Sequence, residues 1–289
     1  MEISIIYEDD DILIVDKPSG ITVNRAETTR NEETVQDWAE KKIILLRQKA
    51  TEGQADSRLK IKNNEGTDFY KRGDSSAAHI IENNNNRREE TSQTFWDPVV
   101  EFYKRGGVVH RLDKETSGVL ILAKNPEAFG LLQKQFKERM VKKTYVALTH
   151  GRIVPVEGEI NIPVGRLPWN RMRFGVVPGG RESVTFYKVI AYYHDRNRKE
   201  YYSYVELLPK TGRTHQIRVH LKYLGYPIFS DFLYAGRKIA KKDRKILNRF
   251  FLHAVKISFI HPRTGEEVCF ESKLPEELEV VLKQLKRID

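Results

Sequence analysis

Apolar and polar positions along this chain fall into short blocks, and the spacing switches between a period of two and a period near 3.6. Residues 3–7 (Ile-Ser-Ile-Ile-Tyr) and 12–15 (Ile-Leu-Ile-Val) are β-branched runs around an acidic turn. They predict a hairpin, stopped by Lys17-Pro18-Ser19-Gly20. From Thr34 the spacing lengthens: Val35, Trp38, Ala39, Ile43 and Leu46, with the stem of Lys42, share one helical stripe. Residues 118–123 are a short apolar strand. Asn125-Pro126-Glu127 then reads as a helix start, with an Asn N-cap, Pro at the first helical position and a carboxylate in the first turn. Ala128, Leu132, Phe136 and Met140 repeat every four residues as the buried stripe of that helix. Strands are predicted over 144–149, 183–190, 201–208 and 250–259. Residues 211–224 read as a helix with Ile217, Leu221 and Leu224 inward and Gly225 as its stop. Strands outnumber helices and turns are short, so the expected fold class is α+β: a mainly antiparallel mixed sheet with flanking helices.

One tract breaks the pattern. Between Thr51 and Thr94 only nine of 44 residues are apolar, too few to offset the entropy of ordering the segment. It includes four consecutive asparagines (83–86), and its seven positive and eight negative charges nearly cancel. Periodic structure resumes after it. Residues 47–95 are therefore expected to be a flexible polar insertion within a single catalytic domain, 1–285, rather than a linker between two.

Charge adds what periodicity cannot. The 289 residues carry a net +10, and Lys210 to Lys256 alone hold 12 basic side chains against Asp231 and Asp243. The excess thus sits in 47 residues, the footprint expected for a polyanion, with nucleic acid the first candidate. A plain soluble basic surface is the alternative. A single cysteine, Cys269, excludes an internal disulfide and any multi-cysteine metal site. No apolar run approaches the roughly 18 residues of a membrane span, and the N-terminus shows no basic-then-apolar leader pattern. A cytoplasmic setting is the expectation. There is no GxxxxGK[ST] loop and no GxGxxG turn, and His215 and His220 are five apart rather than the four of a helical zinc pair. No metal, nucleotide or redox cofactor is indicated.

Four segments hold candidate chemistry. His110-Arg111-Leu112-Asp113-Lys114-Glu115-Thr116-Ser117-Gly118 is a polar loop entering a buried strand, which would hold a carboxylate rigidly; the alternative is an ordinary turn with local side-chain hydrogen bonds. In Lys142-Lys143-Thr144-Tyr145, the ring of Tyr145 could stack on a base with Lys142 and Lys143 on phosphates, or the ring could simply pack and the lysines be solvated. Within Thr211-Gly212-Arg213-Thr214-His215-Gln216-Ile217-Arg218, Arg218 adjoins the apolar stripe and needs a carboxylate if buried, for which Asp113 is the obvious candidate. Such a pair would keep Asp113 ionised and oriented. The run containing Lys241, Lys242, Arg244 and Lys245 could follow a phosphate backbone or be a solvated face.

Taken together, 110–118 with its following strand, Lys143-Thr-Tyr145-Val-Ala-Leu, and 211–220 resemble the RluA-type pseudouridine synthases. Asp16-Lys-Pro-Ser-Gly20 and Leu224-Gly-Tyr-Pro-Ile-Phe-Ser-Asp231 fit the same pattern. The resemblance covers roughly residues 1–46 and 96–280. It implies isomerisation of uridine to pseudouridine in rRNA or tRNA, without cofactor or metal, by breaking the C1′–N1 bond and rejoining the base through C5. It implies Asp113 as the essential carboxylate, either attacking C1′ or removing a sugar proton toward a glycal. Tyr145 would stack on the uracil and assist at C5, and Arg218 would pair with Asp113. Arg111 would fill the gap left by the flipped nucleotide, with His110, Arg213, His215 and Lys143 among the RNA contacts. Many relatives carry an S4-type RNA-binding module ahead of this pattern; here the chain starts at the hairpin, so no such domain is expected, and a monomer is the default. The rival class is a non-enzymatic RNA-binding or chaperone protein that keeps the fold.

Overall fold

Ser4–Glu8 (β1) and Ile12–Lys17 (β2) form the expected hairpin, and its turn is set by Asp9, whose Oδ1 accepts hydrogen bonds from the backbone N–H groups of Asp11 and Ile12. The computed structural model describes residues 2–29, 31–43 and 96–288. The insertion expected at 47–95 lies outside the described residues. Met1–Lys41 and Pro98–Asp289 form one compact unit, separate from Lys42–Asp97, and the described strands all belong to it.

β2 is buried almost throughout because it lies between β1 and Ser117–Ala123 (β3), antiparallel to both, with Ile12 opposite Ala123 and Lys17 opposite Gly118. All seven residues of β3 are buried. The helix over residues 35–43 (α1) and Pro98–Arg105 (α2) precede β3; Pro126–Lys137 (α3) follows it. Asn125 caps α3 as the sequence predicts, accepting from the Ala128 N–H. The helix is shorter than its four-residue repeat suggests. It ends at Lys137, and Met140 is exposed, while Phe129 and Gln135 join Ala128 and Leu132 on the buried side.

Lys142–His150 (β4), Glu157–Asn161 (β5), Val184–Asp195 (β8) and Glu200–Pro209 (β9) continue the sheet, with Val164–Leu167 (β6) and Asn170–Val176 (β7) forming a separate two-stranded hairpin. Gln216–Tyr223 (α4), Arg237–Asp243 (α5), Leu252–Ile260 (β10), Glu267–Glu271 (β11), Glu276–Gln284 (α6) and Lys286–Ile288 (β12) complete the order. The sheet runs β1-β2-β3-β10-β4-β9-β8-β12, with β11 on β10 and β5 on β8. Every pairing is antiparallel except β3 with β10, so the mainly antiparallel mixed sheet is observed. Among the described residues no helix is long and apolar enough to cross a membrane.

The β3–β10 contact matters most for function. Only His253 and Ala254 of β10 pair with β3; beyond them the same edge of β10 turns to β11. Gly118 makes this approach possible. Its φ is +116°, and a Cβ there would fall 2.2 Å from the backbone oxygen of Ala254. Such a contact is closed to any other residue.

The predicted helix over 211–224 begins only at Gln216. The polar residues ahead of it latch the chain instead. Thr211 Oγ1 accepts from the Val184 N–H and donates to Gln216 Oε1, which also accepts from the Arg213 N–H, while Gln216 Nε2 donates to the Val184 carbonyl. His215 adopts φ +57°, the left-handed region, at the helix entrance. Side-chain bonds to backbone compete here with the first helical turn and win.

Candidate active site

Three segments distant in sequence meet at one cleft of about 810 Å³: the loop before β3, the start of β4, and the latch before α4. Among the described residues, nine Lys and Arg side chains line it against one carboxylate, Asp113, so this lining is strongly positive and suited to a polyanion.

Asp113 is held from below. Arg218 Nη1 donates to Asp113 Oδ2 at 3.0 Å. The expected pair is therefore present, but Asp113 is the minor partner. Arg218 Nε and Nη2 grip Asp231 Oδ2 and Oδ1 at 2.8 and 2.9 Å, in a fork that suits a carboxylate. Asp231 is fully buried and also accepts from the N–H groups of Leu233 and Tyr234. The rings of Phe250 and Tyr234 lie 4.3 and 4.9 Å from the guanidinium carbon. Burial opposes the charge on Arg218, yet hydrogen bonds and charge from Asp231, then Asp113, hold the guanidinium well above its ordinary value. Asp231 carries a role that periodicity does not reveal. The available signal is that the basic 210–256 segment contains only two acidic residues, Asp231 and Asp243.

The loop after Asp113 is fastened as firmly. Lys17 is fully buried, and its Nζ donates to the carbonyl oxygens of Pro18, Ile21 and Lys114 at 2.9, 2.9 and 3.1 Å. Burial and then the charge of Arg249 lower Lys17 to about 7, with Asp113 opposing. Three acceptors around one nitrogen match the three donors of an ammonium. Glu115 is bound by Arg244 Nη2 and by the Phe250 N–H, and Arg249 donates to the Glu115 carbonyl and to Ser117 Oγ.

Tyr145 and Lys143 stand two apart on β4 and both line the cleft. Burial, then the negative charge of Asp113, pushes the Tyr145 phenol above its ordinary value, so it is protonated at neutral pH. Burial lowers Lys143 to about 8. His215 Nε2 lies 3.9 Å from Asp113 Oδ2. His215 Nδ1 is hydrogen-bonded to Tyr234 Oη at 2.9 Å, and that oxygen also accepts from the Phe174 N–H, so the ring is fixed with Nε2 facing Asp113. Burial lowers His215 below its usual value, against the pull of Asp113.

Arg111 is exposed at the rim beside Asp113, and Arg213 lines the cleft with Nε donating to the Glu182 carbonyl. His110 is held by the protein itself. It also lines the cleft, but its Nε2 accepts the Ile121 N–H at 3.0 Å and its ring stacks on Phe136. Burial, Lys143 and Arg105 lower it to about 3, so it is a neutral wall element with its acceptor already used.

The expected basic run divides. Lys241, Lys242 and Lys245 are exposed and lie off the cleft lining. Arg244 turns inward to Glu115 and the carbonyls of Ser230 and Asn248, making it a brace for the Asp113 loop rather than a free cation. Away from the cleft, Asp9, Asp11 and His261 gather, but Arg263 grips Asp11, and His261 Nε2 is 2.8 Å from Asp9. The carboxylate of Asp11 is thus already paired with a guanidinium.

Comparison with known proteins agrees with this geometry. The chain is 44% identical over 181 residues to an "Uncharacterized RNA pseudouridine synthase" of Chloroflexus aurantiacus, covering 63% of this chain and 54% of that one. It is 32% identical over 293 residues to "Ribosomal large subunit pseudouridine synthase D" of Neisseria meningitidis serogroup B, covering 99% of this chain and 62% of the relative. The chain thus spans between about half and three-fifths of the length of these relatives. Its fold is shared with human RNA Pseudouridylate Synthase Domain Containing 1 (TM-score 0.61, 24% identity, 96% of this chain and 87% of that one). The family described as RNA pseudouridylate synthase matches residues 11–223, about three-quarters of the chain. A match of that extent, over a cleft whose carboxylate, tyrosine and arginine fall within it, places the chain in the RluA-type RNA pseudouridylate synthase family.

Proposed function

We propose that the chain isomerises uridine in ribosomal or transfer RNA to pseudouridine, with Asp113 as the reacting carboxylate. The observation that carries this is the arrangement around Asp113. One carboxylate, 18% exposed, stands in a basic cleft and is oriented by a buried arginine that Asp231 already neutralises. A carboxylate there repels phosphate and so adds nothing to affinity for the RNA backbone, which supports a role at the reacting nucleotide.

The target nucleotide leaves its stack and enters the cleft, where extrusion is cheapest from a loop. The basic lining and Lys143 attract the backbone, and Arg111 takes the place of the extruded base. Tyr145 lies under the uracil and, as a neutral phenol, offers its ring face and a donated hydrogen bond. Asp113 acts at the sugar, the C1′–N1 bond breaks, the base turns, and C1′ bonds to C5. The C5 hydrogen is lost as a proton and N1 gains one, so the reaction balances without oxidant or co-reactant. Lys241, Lys242 and Lys245 extend the positive surface to flanking RNA.

Tritium release from RNA labelled at uridine C5 tests this directly. Wild type should release tritium without added cofactor, and Asp113→Asn should release none while binding RNA nearly as tightly. Tight binding without release by the wild type would instead favour a non-enzymatic RNA-binding protein.

A further inference from the structure

Arg139 stands where a helix normally ends in glycine. It is the residue just past the C-cap of α3, with φ +62°, and the closing bonds run from the Arg139 N–H to Phe136 O and from the Met140 N–H to Gln135 O. Left-handed backbone is unfavourable for a side-chain-bearing residue, and glycine is the usual occupant of this position. The Arg139 side chain lines the rim of the cleft beside Arg181 and Arg213. These three come from different places: the end of α3, the residue bridged to Val164 ahead of β8, and the latch before α4. Glu182 is shared between them, its carboxylate 3.1 Å from Arg139 Nη2 and its carbonyl accepting from Arg213 Nε at 3.2 Å. Burial, then the charges of Arg181 and Arg139, lower Arg213, as expected of cations facing one another without enough anion.

We propose that Arg139, Arg181 and Arg213 form a phosphate-binding claw for the RNA backbone beside the extruded nucleotide. This rests on the RNA-directed reading of the cleft and adds the subsite that anchors the strand. Guanidinium forks match phosphate oxygens, and a rim placement lets them hold the strand while one nucleotide enters.

The probe is a fluorescent 20-nucleotide hairpin RNA, titrated across salt concentrations with wild type, Arg139→Gly, Arg181→Gln and the double variant. Each single variant should lower affinity about tenfold, the size of one charged hydrogen bond at a half-exposed site. Each should also reduce the slope of log Kd against log salt by about 0.7, and the double variant by about 1.4. Arg139→Gly should melt at the wild-type temperature or higher, because glycine relieves the left-handed strain. Unchanged affinity and slope in both single variants would overturn the claw. So would weaker binding by Arg139→Gly accompanied by a lower melting temperature, with Arg181→Gln at wild-type affinity, which would mark Arg139 as a mere cap. Tritium release by wild type is read separately. Its absence would count against the isomerase, whereas the salt slopes would still decide the claw.

Discussion

Replacing Asp231 with asparagine should damage the protein more than replacing Asp113, although Asp113 is the reacting group. The structure sets the order of dependence. Asp231 is fully buried and makes two bonds to Arg218, itself only 5% exposed. Asparagine at 231 keeps the shape but removes the charge and turns an amide N–H₂ toward guanidinium donors. Stranding one member of a buried pair costs about 3–5 kcal/mol. Asp113 makes one 3.0 Å bond, is partly solvated, and its loss leaves Arg218 still neutralised by Asp231. That loss should cost about 1 kcal/mol or less, the lower end for a charged hydrogen bond after solvent screening. Guanidinium denaturation at pH 7, compared at constant m-value, measures both. The expected gap is about 2 kcal/mol or more. Turnover should also fall in Asp231→Asn, since Arg218 loses the clamp that aims it. Equal stability losses, or an Asp231→Asn loss below about 1 kcal/mol, would refute the order in which Asp231 fixes Arg218 and Arg218 fixes Asp113.

Three further outcomes rest on named contacts. His110 titrates near 6.5 when unfolded and is lowered to about 3 by burial in the fold. Between those values the unfolded chain binds a proton that the folded chain refuses, so stability must fall as pH drops through the window, by up to about 1.4 kcal/mol per pH unit. His110→Gln, whose amide oxygen can accept the Ile121 N–H, should flatten that slope; identical acid slopes in wild type and variant would rule the effect out. Gly118→Ala, by driving a Cβ into the Ala254 backbone at positive φ, should cost about 3 kcal/mol or more, or abolish folding, as read by denaturation; wild-type stability would contradict the close β3–β10 approach. Replacing Lys241, Lys242 and Lys245 with Ala should weaken RNA binding and lower its salt slope with little change in melting temperature, whereas Arg244→Ala should lower the melting temperature by freeing Glu115. Matching behaviour of the two variants would undo the division of that run.

Local pattern determined much of this protein. The hairpin, the apolar strand at 118–123, the Asn125 cap and the strand-rich α+β class come from spacing and capping chemistry that act over a few residues. Motif order likewise brings forward Asp113, Tyr145, Arg218 and Arg111, and with them the family. Tertiary structure decided which charges are partners. The Arg218–Asp113 bond joins residues 105 apart, and whether Asp231 or Asp113 dominates depends on burial, which no periodicity records. Lys17 ends a strand in sequence, but the sheet order β2-β3 places it beneath the Lys114 carbonyl and makes it an anchor. Arg244 and Lys245 look alike in a basic run until α5 packs and turns one of them inward to Glu115. The helix expected from Thr211 gives way to side-chain bonds reaching β8, and nothing in the sequence marks Arg139 as an arginine in a glycine's conformation. Propensity and motif are short-range properties of the chain. Desolvation, charge pairing and backbone strain depend on neighbours that only the assembled sheet supplies.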